Sequence, residues 1–304
     1  MRGIGNTPLI KLEKLTDRDS ADVFVKLESA NPTGSMKDRM ALSMIEGAEK
    51  RGQLKKGYKV IDYTGGSTGS SLALICAFKG YEALFVSSDA FAKEKLRTMK
   101  ALGAELELVP SENGKISKAV IANALARINK LKSEPNTFWT DQFNNIDNRK
   151  AYHTMAYEII KQLNGKIDEF VAGVGTGGCF SGNAEVLKSE IPQIRCSAIE
   201  PDEVRALSGG NLLGTHRLEG MGAGFVPSIF RGDLADEIIA VKDIDAYDTA
   251  RKLASQEGVF AGISSGANVW VALQRAKKLG KGKIVVTVIC DSGLKYLNGD
   301  LFTC

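Results

Sequence analysis

The chain has 304 residues, of which 43% are hydrophobic and 25% are charged, and its formal net charge is +4. This length exceeds one ordinary domain and fits two, and the composition is typical of a globular protein with a sizeable core. Basic and acidic residues are interleaved, which excludes the basic tract or aromatic–basic stripe expected of a nucleic-acid-binding protein.

The first half of the chain alternates between strand and helix patterns. The opening segment 4–9 predicts a turn that leads into an extended segment, and 22–28 alternates like a strand. A helical pattern begins near Met36, with apolar residues at every fourth position from Met36 to Ala48. Further along, the pattern predicts strands at 60–63, 83–86 and 105–109, and helices at 72–78, 91–101 and 116–131.

A second series begins near residue 145. It predicts, in order, a helix at 147–163, a strand at 169–172, a helix at 179–188, a strand at 197–200, an irregular stretch from 201 to about 236, a strand at 238–241, helices at 245–257 and 265–278, and a strand at 284–289. This alternation predicts an α/β fold of two lobes, each a mostly parallel twisted sheet flanked by helices. We expect the active site in the cleft between the lobes, at the carboxyl ends of the strands.

The cysteines indicate the cellular compartment. They are odd in number and scattered, without a C-x-x-C pair: Cys76, Cys179, Cys196, Cys290 and Cys304. This pattern argues against a disulfide framework and a zinc site, and it favours a reducing compartment. Residues 1–3 do not read as a signal peptide, and no apolar run approaches membrane-spanning length. We therefore predict a cytoplasmic protein with no metal, membrane or nucleic-acid partner.

Lys37 is the first candidate for chemistry. The turn pairs at 31–32 and 33–34 bend the chain just before it, so Lys37 lies in the first turn of the helix that follows. The helix dipole disfavours a cation at that end, which suits an amine that must attack a carbonyl. The alternative is an ordinary solvated surface lysine.

Three turns, each leading into a predicted helix, are candidate ligand sites. The turn at 175–178 predicts a phosphate site, although it lacks the lysine of a nucleotide loop and the third glycine of a dinucleotide fingerprint. The turn at 64–70 adds the hydroxyls of Thr64, Ser67 and Thr68, which could hold a carboxylate or cap the helix. The turn at 262–266 places Ser264 where it could be a helix cap.

A reactive lysine, a phosphate site, a hydroxyl-rich loop and a serine turn together fit pyridoxal 5'-phosphate. The chain resembles the cysteine synthase / cystathionine β-synthase family of pyridoxal-phosphate enzymes (fold type II). The order and spacing of the family's motifs agree along nearly the whole chain, at 4–9, 31–39, 64–69, 141–143, 175–178, 199–201, 219–225, 262–266 and 291–297. The short C-terminal segment and the lack of a preceding haem-binding segment favour the cysteine synthase, or O-acetylserine sulfhydrylase, end of the family.

The resemblance implies a role for each site residue. Lys37 would carry the cofactor as an imine and take the Cα proton of the substrate. Ser264 would hydrogen-bond the pyridine nitrogen, and Ser67 would lie near the ring. The phosphate would be bound by Gly175, Thr176, Gly177, Gly178 and Cys179. The amino-acid substrate would be bound by Thr64, Gly65, Thr68, Gln142 and Gly222. The resemblance also implies a smaller N-terminal domain at 35–144 and a larger domain formed by 1–34 with 145–304.

The activity implied is β-elimination and β-replacement on a serine-derived amino acid. Its simplest form converts O-acetylserine and sulfide to cysteine and acetate through an aminoacrylate. The alternatives are cystathionine, lanthionine or cysteine desulfhydrase chemistry on cysteine or serine, with water or a thiol as the second reactant. A weakly active partner of serine acetyltransferase is a further alternative. The resemblance also implies a homodimer.

Two loops depart from the family pattern. Residues 64–69 read Thr-Gly-Gly-Ser-Thr-Gly where the family has Thr-Ser-Gly-Asn-Thr-Gly, so Gly65 replaces a serine and Ser67 replaces an asparagine. Cys179 replaces a threonine that closes the phosphate site. We expect cofactor binding to survive, because the backbone N–H of Cys179 remains a donor. The loop changes put the identity of the substrate in question.

Overall fold

The structure is a computed structural model that describes residues 3–111, 118–212 and 214–303. Within these ranges the strands form two sheets that are flanked by helices. The α/β class expected from the sequence is therefore confirmed. The start of the predicted helix at 116–131 falls partly outside the described residues.

The larger sheet has one antiparallel edge pair and is otherwise parallel. Its strands are β1 (Leu9–Lys11), β2 (Asp22–Leu27), β7 (Glu169–Gly173), β8 (Arg195–Pro201), β9 (Glu237–Val241) and β10 (Ile284–Ile289). They lie in the order β1-β2-β10-β7-β8-β9, and only β1 and β2 run antiparallel. The central strand β10 therefore directs its carboxyl end, at Cys290, towards the middle of one edge of the sheet.

The smaller sheet is parallel throughout. Its strands are β3 (Lys59–Tyr63), β4 (Glu82–Ser88), β5 (Glu105–Val109) and β6 (Thr137–Trp139), in the order β5-β4-β3-β6. The short strand β6 was not predicted, because three residues are too few to show a strand period. It matters for the site because β3 and β6 are neighbours, and the chain leaves both at the same edge.

The helices follow the predicted alternation. They are α1 (Lys37–Lys50), α2 (Ser67–Lys79), α3 (Lys93–Ala101), α4 (Lys118–Leu131), α5 (Ile146–Lys150), α6 (His153–Gln162), α7 (Gly178–Glu190), α8 (Asp243–Lys252) and α9 (Ile263–Leu279). None of these helices has both the length and the apolar character needed to cross a membrane.

One prediction about the helices was wrong. A single helix was expected at 147–163, but the chain forms α5 and α6 with a break at Ala151 and Tyr152. The N–H of Tyr152 bonds back three residues to the Arg149 carbonyl, which tightens the turn and redirects the chain. The ring of Tyr152 is fully buried, and its hydroxyl donates to the Met36 carbonyl at 3.4 Å.

One apolar cluster joins the two sheets. It includes Val60 and Phe85 from the smaller sheet, Phe170 and Val286 from the larger sheet, and Met40 from α1. A second cluster packs α8 and α9 on the opposite face of the larger sheet, and a third packs α4 on the opposite face of the smaller sheet. Both sheets are thus covered on both faces, as parallel strands rich in Val and Ile require.

A buried ion-pair network anchors the start of α1. Arg39 binds Glu28 through two hydrogen bonds, Nε to Oε2 at 2.7 Å and Nη2 to Oε1 at 2.8 Å, and it also binds both carboxylate oxygens of Glu158. Lys26 contacts the same Glu158 carboxylate at 2.7 Å. Burial would raise the pKa of Glu158, but the bonds and charges of Arg39 and Lys26 lower that pKa to about 2. The network fixes α1, and with it Lys37, against α6 and β2.

Candidate active site

Lys37 is held beside the end of the central strand. α1 begins at Lys37, and the turn before it pairs with the segment after β10. The N–H of Met36 donates to the Cys290 carbonyl at 2.9 Å, and the N–H of Ser292 donates to the Gly34 carbonyl at 3.0 Å. The half-buried lysine therefore lies at the carboxyl edge of the larger sheet, where ligands bind in such folds.

A glycine cup, residues 175–179, connects β7 to α7. Gly177 has a left-handed backbone with φ of +88°. A Cβ at Gly175 would overlap the Gly220 carbonyl oxygen, and a Cβ at Gly178 would overlap the side-chain oxygen of Asn148. The glycines are thus required by close packing as well as by the turn. The first N–H groups of α7 have no acceptor within the helix, so this end of the helix can bind an anion.

Two buried cysteines show how close the lysine lies to the cup. Cys179 is in the first turn of α7, and Cys290 follows β10. Burial raises the pKa of both thiols, that of Cys290 to about 11, and in each case the nearby charge of Lys37 opposes the shift. The N–H of Cys290 also donates to the hydroxyl oxygen of Ser265, the neighbour of Ser264 in the first turn of α9, at 2.9 Å. The amine, the cup and the serine turn therefore converge on one space.

Residues 64–70 lead from β3 into α2, and we call them the substrate loop because the family resemblance predicts that they bind the substrate. The hydroxyl oxygen of Thr64 accepts from the N–H groups of Gly66 at 3.1 Å and Gly69 at 3.0 Å, so it caps this end of α2. The Thr68 hydroxyl donates to the side-chain oxygen of Gln142 at 2.9 Å, and the Gln142 side-chain nitrogen donates to the Tyr63 carbonyl at 3.1 Å. Thr68 and Gln142, which are distant in sequence, are thus brought together, and Thr64 lies in the same loop.

The segment at 91–99, which runs into α3, packs against the glycines of the substrate loop. A Cβ at Gly65 would lie 2.5 Å from the ring of Phe91, and one at Gly69 would overlap the sulfur of Met99. The serine that the family has at position 65 would therefore meet Phe91. This contact gives a structural reason for Gly65, because the small residue makes room for the aromatic ring.

Ser67 contacts a lysine that the sequence did not single out. The ammonium of Lys295 donates to the Ser67 hydroxyl at 3.5 Å. Burial lowers the pKa of Lys295, and the charge of Asp291 opposes that shift. Lys95 from α3 forms an ion pair with Glu219 and lies 4.7 Å from the centre of the Tyr296 ring. The family motifs at 219–225 and 291–297 include Glu219 and Lys295, but because these contacts join residues far apart in sequence, no local pattern marked the pairs.

The glycine-rich segment 219–225 lies beside the cup. Gly222 has φ of +60°, and its N–H donates to the Val174 carbonyl at 3.0 Å. Its own carbonyl accepts from His216 at 3.1 Å. The carbonyl oxygen of the neighbouring Gly220 approaches Gly175 so closely that position 175 leaves no room for a side chain. Gly222 is thus near the cup rather than in the substrate loop.

Asp62 joins β3 and β6, the strands that lead into residues 64–70 and to Gln142. It lies near the end of β3 and is buried. Its carboxylate accepts from the Thr140 hydroxyl, from the Tyr63 N–H at 2.8 Å and from the Trp139 ring N–H at 3.4 Å. Burial raises the pKa of Asp62 to about 7, although these hydrogen bonds oppose the shift. Sequence patterns gave no sign of this residue, since an acid inside a strand usually faces solvent.

We expect Asp62 to make the stability of the protein depend on pH. Its pKa is 3.8 in a model compound and about 7 in the fold. Between those values the folded chain keeps a proton that the unfolded chain has released, so stability falls as pH rises, by about 1.4 kcal/mol per pH unit at most. In Asp62→Asn this slope should disappear. Urea unfolding at pH 5 and pH 8 measures it, with the exposed Asp19→Asn as control, and an unchanged slope in Asp62→Asn would contradict the assignment.

Comparison with known proteins identifies the family. A family model described as "Pyridoxal-phosphate dependent enzyme" matches residues 1–291. The chain belongs to this family. It is 45% identical over 302 residues to a protein from Staphylococcus aureus named cysteine synthase, covering 99% of this chain and 95% of that protein.

Solved structures give the same fold. A cysteine synthase from Entamoeba histolytica has a TM-score of 0.93 at 36% identity and covers 99% of this chain and 89% of that one. A hydrogen sulfide-producing enzyme from Fusobacterium nucleatum has a TM-score of 0.90 at 41% identity, and the match covers 97% of this chain and 96% of that one. The expected family, fold and dependence on pyridoxal phosphate are therefore confirmed.

The residues of the site fit this cofactor. The glycine cup offers helix N-terminal donors to a phosphate, Lys37 offers an amine for the aldehyde, and Ser264 offers a hydroxyl for the ring nitrogen. The N–H of Met36 bonds to Cys290, and Asn268 links Cys290 to Gly173 just before the cup, so the amine and the cup lie at the same edge of the larger sheet. Cys290 and Asn148, which sequence patterns did not mark, line the same region.

Proposed function

We propose that this enzyme is a cysteine synthase that converts O-acetylserine and sulfide to cysteine and acetate. The observation that carries the proposal is that Lys37, the glycine cup and the turn with Ser264 lie at one edge of the larger sheet, joined through Cys290 and Asn268. Relatives that bear the name cysteine synthase support it, among them the Staphylococcus aureus protein at 45% identity over nearly the whole length of both chains.

We assign the roles of the residues as follows. When bound, pyridoxal phosphate supplies the electron sink for charge that develops at Cα of the amino acid. The Lys37 amine would hold the cofactor covalently and, when free, would take the proton from Cα of the amino acid. Binding of the phosphate is assigned to Gly175, Thr176, Gly177, Gly178 and Cys179. Binding of the amino acid is assigned to Thr64, Gly65, Thr68, Gln142 and Gly222, with Ser67 next to the ring.

Ser264 determines how strongly the ring withdraws charge. A serine hydroxyl is neutral, so it can bond the ring nitrogen without holding it protonated as a carboxylate would. A moderate electron sink favours prompt loss of a β-substituent over a long-lived carbanion. This choice of residue therefore supports β-replacement over transamination.

We further propose the domain boundaries, the cellular location and the protein partners of this enzyme. The smaller domain is 35–144 and the larger is 1–34 with 145–304, a division supported by the two separate sheets. The buried, unpaired state of the described cysteines supports a cytoplasmic location. A homodimer, and docking of serine acetyltransferase at the cleft, are proposed from the family resemblance.

The experiment that tests the proposal adds O-acetylserine and then sulfide to the purified holoenzyme while its absorbance is followed. We expect the cofactor spectrum to change on addition of O-acetylserine, to return on addition of sulfide, and cysteine to form at about 1 per second or faster. Sulfide released from cysteine alone at a higher rate would favour the desulfhydrase or lanthionine alternatives. Turnover far below that range with every substrate would favour a binding role.

A further inference from the structure

Asn148 lies between the Gln142 segment and the glycine cup. It is in α5 and is fully buried. Its side-chain nitrogen donates to the Gln142 backbone carbonyl at 2.7 Å and to the Thr176 hydroxyl oxygen at 3.0 Å. Both hydrogens of the amide are therefore used, one on each side.

The Gln142 carbonyl fixes which way the Asn148 amide faces. A carbonyl can only accept, so the NH₂ group must point towards it, because a flipped amide would bring two acceptor oxygens together. In this orientation the side-chain oxygen of Asn148 has no hydrogen-bond partner among the described residues, and it lies against Gly178. A buried acceptor without a partner destabilises a fold. What the asparagine contributes here is therefore its pair of donors.

The amide in turn fixes the hydroxyl of Thr176. A threonine hydroxyl can accept at two positions and has one hydrogen to donate. The Thr176 oxygen accepts from Asn148 and lies 3.5 Å from the N–H of Gly178. The hydrogen of the Thr176 hydroxyl therefore remains available for donation. The N–H groups beside it, at the start of α7, can likewise only donate. A ligand made only of acceptors, such as a phosphate dianion, matches this arrangement.

We propose that Asn148 is a positioning residue that keeps the Thr176 hydroxyl as a donor to the phosphate of pyridoxal phosphate. Asn148 acts through Thr176 and the cup rather than on the reacting atoms. A carboxylate in its place would only accept, so the Thr176 hydroxyl would donate to it and turn away from the phosphate. A carboxylate would also bring a negative charge close to the anion.

The test titrates the full chain, freed of cofactor, with pyridoxal phosphate. We expect Asn148→Asp and Thr176→Val each to weaken cofactor binding about tenfold to a hundredfold, because each variant loses one hydrogen bond to a charged group. Because Asn148→Asp also adds a charge, the cycle uses Asn148→Ala, which acts on cofactor affinity only through Thr176, so Asn148→Ala combined with Thr176→Val should lose little more than Thr176→Val alone. The control is Asn145→Asp, the same change three residues away, which contacts Asp147 and Thr140 but not the cup.

Two results would overturn the proposal. One is wild-type cofactor affinity in Asn148→Asp, and the other is losses that multiply in the double variant. Should Asn148→Asp fail to fold, the cofactor affinity of Asn148→Ala and its cycle with Thr176→Val decide. The phosphorus resonance of the bound cofactor is a second readout, expected to shift alike in Asn148→Ala and Thr176→Val. No amino-acid substrate is needed, so the result is independent of the proposed activity.

Discussion

Replacing Lys37 with alanine should remove the covalent attachment of the cofactor and lower turnover by about a thousandfold or more. Lys37 is the first residue of α1. The charge of its amine opposes the raised pKa of the Cys179 thiol in the glycine cup. Its loss removes both the covalent bond and the base, and a positioned base alone contributes about 10² to 10⁴ in rate. The cofactor should still bind through its phosphate, because the cup is intact.

The measurement combines absorbance with mass spectrometry after borohydride reduction. Wild type should gain the mass of one reduced cofactor on the peptide that contains Lys37, and Lys37→Ala should gain none. Lys93→Ala is the matched control, because Lys93 is also the first residue of a helix but is exposed. A retained covalent adduct in Lys37→Ala would show that another lysine, such as Lys295, carries the cofactor.

Replacing Arg39 with methionine should lower the free energy of unfolding by about 3–5 kcal/mol. Arg39 is 4% exposed and its partner Glu28 is fully buried, so the change leaves a carboxylate inside the protein without its cation. Breaking a buried pair on one side costs this much because the remaining charge cannot be solvated. The effect should reach the site, since the network fixes the helix that begins at Lys37.

A matched control separates the effect of burial on the free energy of unfolding from the effect of removing a positive charge. Arg127 binds Glu107 with the same two-bond geometry, Nε to Oε2 at 2.6 Å and Nη2 to Oε1 at 2.8 Å, but the side chains are 37% and 38% exposed. Arg127→Met should therefore cost about 1 kcal/mol or less. Equal losses in the two variants, measured by urea unfolding, would contradict the account of the network.

The Arg39 effect should also depend on pH. The pKa of Glu158 falls from 4.5 to about 2 in the fold, so the stabilisation is complete above pH 4.5 and is lost as pH falls towards 2. The difference between wild type and Arg39→Met should therefore narrow below pH 4.5.

Local chain chemistry explains what could be predicted from the sequence. Turn pairs before Lys37 and glycines at 175–178 impose a backbone geometry on their own neighbours, so the helix start and the cup follow from a few consecutive residues. The regular helix and strand periods likewise give the α/β class. The resemblance to a known family then supplied the cofactor that joins these separate turns.

Long-range contacts explain what could not be predicted. Asn148 reaches Thr176 across 28 positions, and Lys295 reaches Ser67 across 228, so no local pattern marks either pair. The strand β6 is too short to show a period, yet its pairing with β3 brings Gln142 to Thr68. At the break between α5 and α6 the ring of Tyr152 is fully buried, a tertiary contact that the helix period alone does not show.

The central claim is that one cofactor spans the distance from Lys37 to the glycine cup, and a crystal structure of the holoenzyme tests it most directly. We predict continuous density from the Lys37 side chain into the cofactor, with the phosphate on residues 175–179 and the ring nitrogen within hydrogen-bonding distance of Ser264. Density that joins the cofactor to another lysine, or a phosphate bound away from the cup, would contradict the claim.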